Sequence, residues 1–269
     1  MYKNRYKRAS TRIAKRNRIK RYVGIFFVIS VTIALLIGFI FLVRADFLKV
    51  KNFEVLGSKV VSAEDIKSTA NGFTYGNKFL FIPRSNIIFL NKGDLTKTLL
   101  SKFTRLEDVE VNKELFSKSI ELKITERNGY FLWCSLADEC FFMTNSGFVF
   151  EKALDMQKTK GLIIFRGILK GNPLLKNFAT PDKMQNYSNF IGSLRKGGVE
   201  VSSIDMESSD KAIAKTNIGN IFFNPTEEDL LLVGENTVLL INEIQNKNSK
   251  AEINYIDARF GNKFYYKLY

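Results

Sequence analysis

The sequence predicts a single transmembrane helix plus an α+β ectodomain, in which a β-α-α-β-β unit precedes a mixed, mainly antiparallel β unit with helices. Three observations carry this expectation. The run YVGIFFVISVTIALLIGFIFLV, residues 22–43, contains no charged side chain. Residues 50–127 switch between two-residue and four-residue apolar periods in the order strand, helix, helix, strand, strand. Beyond residue 128 the pattern is mostly strand-like, interrupted by two helical stretches.

The first element is a basic tail. Residues 1–21 carry ten Lys/Arg and no acid, and the remaining chain has 31 basic against 27 acidic residues. The net charge of +14 therefore belongs to the tail and not to the body. The tail has neither interleaved base-stacking residues nor a folded reader, so no nucleic acid is expected as a partner. Anionic headgroups beside a membrane span explain it more simply.

The uncharged run follows directly. At the rise of an α-helix, its 22 residues cover roughly 33 Å, enough for the hydrocarbon core. A cleaved signal peptide is the competing reading, with Val43-Arg44-Ala45 as a loose cleavage site. Signal h-regions are shorter and the basic region here is long, so the retained anchor is favoured. Ten basic residues before the span, against Arg44, Lys49 and Lys51 after it, place the N-terminus in the cytoplasm and residues 44–269 outside.

Residues 50–56 read as a strand ending at Gly57. SAEDIKSTANG (62–72) reads as a helix, with Ser62 as N-cap, acids in the first turn and Asn71-Gly72 as the stop. Residues 77–86 read as a brief extended piece ended by Pro83. Leu95, Leu99 and Phe103 give a second amphipathic helix over 93–103. Strands follow at 107–113 and 119–127, the latter turning Ile120, Leu122 and Ile124 inward. Next come a meander (FLWC, CFFMT, FVFEK) and an apolar strand at 161–167. A helix over 179–198 is capped by Thr180, with Met184, Tyr187, Ile191 and Leu194 as its stripe. Strands fill 199–225. Residues 226–248 predict a buried helix interrupted near Gly234, and terminal strands follow from Ile253, with a turn at Gly261-Asn262.

Cys134 and Cys140 flank a five-residue loop, and a hairpin there would bring them together. A disulfide is expected in an oxidising compartment, with two separate thiols as the alternative. With no His and only these two thiols, no zinc or other metal site is expected. No cofactor is expected either. Ser193-Leu-Arg-Lys196 fits an S-x-x-K pattern but lacks its Ser-Asp-Asn and Lys-Thr-Gly companions, Lys158-Thr-Lys-Gly161 being no match. Glu227, Glu228 and Asp229 read as first-turn acids that favour a helix dipole. Without His the ordinary triads are missing, so the chain is not expected to be an enzyme.

Order and spacing carry a resemblance. FEVLGSKVVSAEDI (53–66) is similar to the opening of a POTRA domain in the FtsQ/DivIB bacterial cell-division proteins. ITERNGYFLW (124–133), TNSGFVF (144–150) and YIDARF (255–260) resemble that family's junction, turn-plus-strand and late strand. The chain departs from the pattern at Asn128, at Lys113–Phe116 and at Ala258. The resemblance implies a tail at 1–21, a transmembrane helix at 22–43, a POTRA-like domain at 47–127 and an FtsQ-type β domain at 128–269. It implies a non-catalytic divisome scaffold at the division septum of the plasma membrane. Its partners would be coiled-coil proteins of the FtsB/DivIC and FtsL type and other divisome membrane proteins. Membrane lipids would meet the basic tail. The alternatives are a POTRA-bearing secretion or chaperone component and, behind it, an anchored envelope enzyme.

The expected binding residues lie in the last two strands: Tyr255, Asp257, Arg259, Phe260, Tyr265 and Tyr266. A strand at a sheet edge invites another chain to add to it, and aromatics and Arg are enriched at interface hot spots. The alternative is a pair of strands that only completes the fold, with Asp257 and Arg259 paired along it.

Overall fold

The computed structural model describes residues 3–78, 81–154, 159–261 and 263–269, with side chains from Lys15 onward. The chain divides into two compact units, Met1–Lys102 with Asp108–Thr125, and Phe103–Glu107 with Glu126–Tyr269.

The first unit begins with helix α1, Lys3–Arg44. Its stretch Lys15–Arg44 is long and apolar enough to cross a membrane. A short 3-10 turn leads to β1 (Asn52–Leu56), followed by α2 (Ala63–Phe73), α3 (Lys92–Lys102), β2 (Leu106–Glu114) and β3 (Ser119–Glu126). The sheet order is β1-β3-β2, with β1 parallel to β3. Helix α2 starts where Ser62 accepts from the Asp65 amide, as an N-cap should. Its Ile66 and Ala70 join Phe53 of β1, Leu95 and Leu99 of α3, and Ile120 and Leu122 of β3 in the core. Gly57 takes a positive φ of 87° after β1, and a Cβ there would lie 2.5 Å from the Ile124 carbonyl oxygen, so the turn requires glycine.

The expected extended piece at 77–86 is instead a run of turns. Isolated bridges pair Asn77 with Pro83 and Lys49 with Asn86; Phe79 and Leu80 lie outside the described residues. The organiser is Asn86, a fully buried amide. Its Nδ2 donates to the Val43 carbonyl at 2.8 Å, and its Oδ1 accepts from the Ile88 and Phe89 amides. Those bonds satisfy a polar group that burial would otherwise penalise.

The second unit contains β4 (Phe131–Cys134), β5 (Cys140–Met143), β6 (Phe148–Lys152), β7 (Ile163–Arg166) and the two-residue β8 (Lys176–Asn177). It continues through α4 (Pro181–Lys196), β9 (Val201–Met206), β10 (Ala212–Thr216), β11 (Gly219–Phe223), α5 (Leu230–Lys247), β12 (Ile253–Phe260) and β13 (Lys263–Leu268). Ten strands form one sheet in the order β13-β12-β11-β10-β9-β7-β4-β5-β6-β8. Parallel pairing occurs at β4–β7, β7–β9 and β11–β12, and the other pairs are antiparallel.

Ile204, Ala214, Ile221 and Ile256 of the sheet pack into one core with Phe190 and Leu194 of α4 and Leu230 and Ile241 of α5. Each of the larger side chains contributes roughly 1.5–3 kcal/mol by leaving water. The other face holds a smaller cluster around Leu132, Cys134 and Cys140. The two cysteines are joined by a disulfide and are direct partners in the β4–β5 ladder.

Helix α5 is not interrupted at Gly234. A Cβ at that position would lie 1.9 Å from Ser193 Oγ and 3.2 Å from the Phe190 carbonyl oxygen. The glycine lets α4 and α5 approach closely, and it does not break the helix. Nor are the three acids in its first turn. Asp229 is the N-cap, accepting from the Leu232 amide at 3.0 Å. Glu227 and Glu228 precede it, and their carbonyls accept from Asn186 Nδ2.

Candidate protein-interaction edge

β13 is the end strand of the large sheet, hydrogen-bonded to β12 and to no other described strand. Its burial pattern is almost wholly exposed, and only Phe264 packs against the core. The other side of β13 thus carries a line of backbone donors and acceptors with no neighbouring strand. Such an edge is a template for a further strand.

The six residues expected at the site divide between two strands. Tyr265 and Tyr266 lie on β13, the edge itself. Tyr255, Asp257, Arg259 and Phe260 lie on β12, which is paired on both sides. Tyr255 and Asp257 are paired with β11 and β13 and have no backbone to offer an incoming strand; the β11 register ends at Asp257, and the side chains of Arg259 and Phe260 can flank one.

Register puts most of them on one face. Asp257 pairs with Tyr265 and with Phe222 of β11, and Phe222 pairs with Ile213 of β10. Ile256, the next position, pairs with Tyr266 and Ile221 and faces the helices. Tyr265 therefore shares the face of Asp257, whereas Tyr266 belongs to the helix side. The register shifts between Asp257 and Phe260. This bulge lets consecutive residues Arg259 and Phe260 meet, with the guanidinium carbon 5.2 Å from the Phe260 ring centre.

The cluster is held by Asp257. Arg259 donates to it through Nε at 2.8 Å and through Nη2 at 2.7 Å, a two-pronged pair. These bonds raise the Arg259 pKa further, against a smaller opposing effect of burial, and Asp210 and Glu207 add to the rise. Phe260 meets Tyr265 edge-to-face with ring centres 5.6 Å apart. At 52% and 56% exposure, both rings still offer most of their surface to a partner. Tyr255 stacks on Phe222 at 5.3 Å, and the Lys211 ammonium lies 5.0 Å over the same ring.

Phe222 and Lys211 extend this face and were not foreseen. The only signal was the doublet Phe222-Phe223 in a strand, which must send one ring to each side. Phe223 is buried in the core, so Phe222 takes the outer face.

The other candidates fall elsewhere. Ser193 is buried and its hydroxyl donates to the Phe190 carbonyl at 2.8 Å, while Lys196 is exposed at the end of α4. Lys158 lies outside the described residues, as does Asn262 of the expected Gly261-Asn262 turn. Among the described residues, no group of three or more His, Cys, Asp or Glu is arranged to hold a metal ion. No protein-family model and no curated protein matches the chain.

Proposed function

We propose that this chain is a membrane-anchored, non-catalytic scaffold of bacterial cell division, of the FtsQ/DivIB kind, linking partner membrane proteins for septal peptidoglycan synthesis. The observation that carries the reading is the exposed edge of β13 beside the Arg259–Phe260–Tyr265 cluster. Backbone pairing supplies affinity without chemistry, and the aromatic and guanidinium groups supply selectivity. The expected partner is a small coiled-coil protein of the FtsB/DivIC type, with an FtsL-type protein in the same assembly.

Two further features support it. The β1-α2-α3-β2-β3 order, with β1 parallel to β3, suits a POTRA-like domain. The apolar α1 suits a single-pass anchor, with the basic tail at the cytoplasmic leaflet and residues 44–269 outside.

The test is photocrosslinking in cells from Phe260 and from Tyr266, with exposed Lys160 as control. One adduct with a small membrane-anchored coiled-coil protein is expected from both positions and not from the control. An edge that yields no adduct while the protein is folded in the membrane rejects this role for β13.

A further inference from the structure

We infer that the end of the first unit next to α1 is itself a membrane-contact surface, whose apolar tips enter the interfacial layer of the bilayer that α1 spans. This rests on the reading of α1 as a transmembrane helix, and not on the role in division.

Hydrogen bonds tie the loop to the helix without slack. Val43, the last residue of the apolar run, is only 2% exposed, and its carbonyl accepts from the buried Asn86 amide. Arg44 Nε donates to the Phe81 carbonyl at 3.1 Å. The Ile87 amide donates to the Leu48 carbonyl, and the Val50 amide to that of Ser85. The β2–β3 turn is brought to the same end, because the Lys51 amide donates to the Lys118 carbonyl and Lys113 Nζ donates to that of Ile88. Segments 44–51, 81–90 and 113–118 therefore surround the point where α1 leaves the hydrocarbon.

These segments present apolar side chains to solvent. Phe47, Phe81, Ile88, Phe89, Leu115 and Phe116 are all exposed, Phe116 at 104% of its reference area. Ile88 and Phe89 stand on a turn whose amides are both held by Asn86 Oδ1, so they are displayed on a fixed support. Six large apolar side chains exposed on segments that hydrogen bonds gather at one end of a unit mark a contact surface. Its occupant follows from position, since anything fixed to the last turn of a spanning helix lies within the headgroup layer.

Charge agrees. Residues 44–51, 81–90 and 113–118 together carry six Lys/Arg against Asp46 and Glu114. Lys49 is paired with Asp46 at 2.6 Å, while burial and then Lys92 lower the Lys113 pKa. Lys78 and Arg84 line a recess of about 270 Å³ beside Phe89, with Asp94 as its acid. Cations around apolar tips are the arrangement that binds anionic lipid surfaces.

The experiment uses the full chain in nanodiscs of phosphatidylcholine and phosphatidylglycerol in equal parts, with bromines on the acyl chains close to the headgroup. Phe89→Trp and Phe116→Trp are the probes, and Leu56→Trp, at the opposite end of β1, is the control. The parent chain gives the constant signal of Trp133, buried in the second unit. Both probes are expected to be quenched several-fold more than the control. Quenching at or below the control overturns the proposal. Leu35→Trp, quenched by bromines at the bilayer centre, reports separately on α1, so a failed span and a failed contact surface give different patterns.

Discussion

Asp205 lies on the sheet face turned away from α4 and α5, in register with Ile213 and Arg166. Lys215 Nζ approaches one carboxylate oxygen at 2.8 Å and Arg166 Nη1 the other at 3.3 Å. Burial alone would raise its pKa, but the hydrogen bonds and charges of Lys215 and Arg166 outweigh burial and leave it below the usual carboxylate value. A group depressed in the folded state stabilises fully above its unfolded pKa of about 3.9, and that stability is lost as the pH falls through the folded value. Asp205→Asn is therefore expected to destabilise the second unit by roughly 1–2 kcal/mol at neutral pH. The gap to the parent should close as the pH falls below about 4, read from urea unfolding at several pH values. A gap that stays constant down to the lowest pH would mean that packing, and not charge, holds this position.

At the scale of elements, the close contact of α4 with α5 turns on Gly234. Gly234→Ala is expected to destabilise by about 1–3 kcal/mol through overpacking. Ser193 Oγ is the nearest obstacle, so Ser193→Ala combined with Gly234→Ala should recover much of the loss in a double-mutant cycle. Purely additive costs would show that the Phe190 backbone, and not the hydroxyl, is the obstacle. The same glycine shows what the sequence could not convey. Periodicity located the helices and nearly every strand, because each needs an apolar face at a fixed spacing. A glycine at a close helix approach and a glycine at a break look identical without the partner helix. The start of α5 was likewise misread, because the Glu227 and Glu228 carbonyls are held by donation from Asn186 Nδ2, 41 residues away from the first of them. Of the candidate site, the last two strands were legible from their residue types. The division of those residues between a paired strand and an edge was not, since it depends on β11 running parallel to β12.

For the molecule as a whole, the described residues offer a surface around the end of α1 and another along β13. The second can be tested by removal. A strand kept for its core would bury several side chains, yet among the described residues of β13 only Phe264 packs against the interior, while Tyr265, Tyr266 and Leu268 keep 56%, 49% and 36% of their surface in water. Deleting residues 263–269 from the full chain should therefore leave the second unit folded, at a cost of about 1–3 kcal/mol for the lost strand contacts. The deletion leaves β12 as the new edge, where Asp257, Arg259 and Phe260 remain but Tyr265 no longer meets the Phe260 ring. Capture of the membrane-anchored partner at this edge should be lost, with α1 still inserted. The melting curve of the second unit and the yield of crosslinked adduct, measured on the same membranes, separate the two roles. A deletion that keeps the adduct, or one that unfolds the unit outright, would return β13 to the fold and move the search for a partner to the first unit.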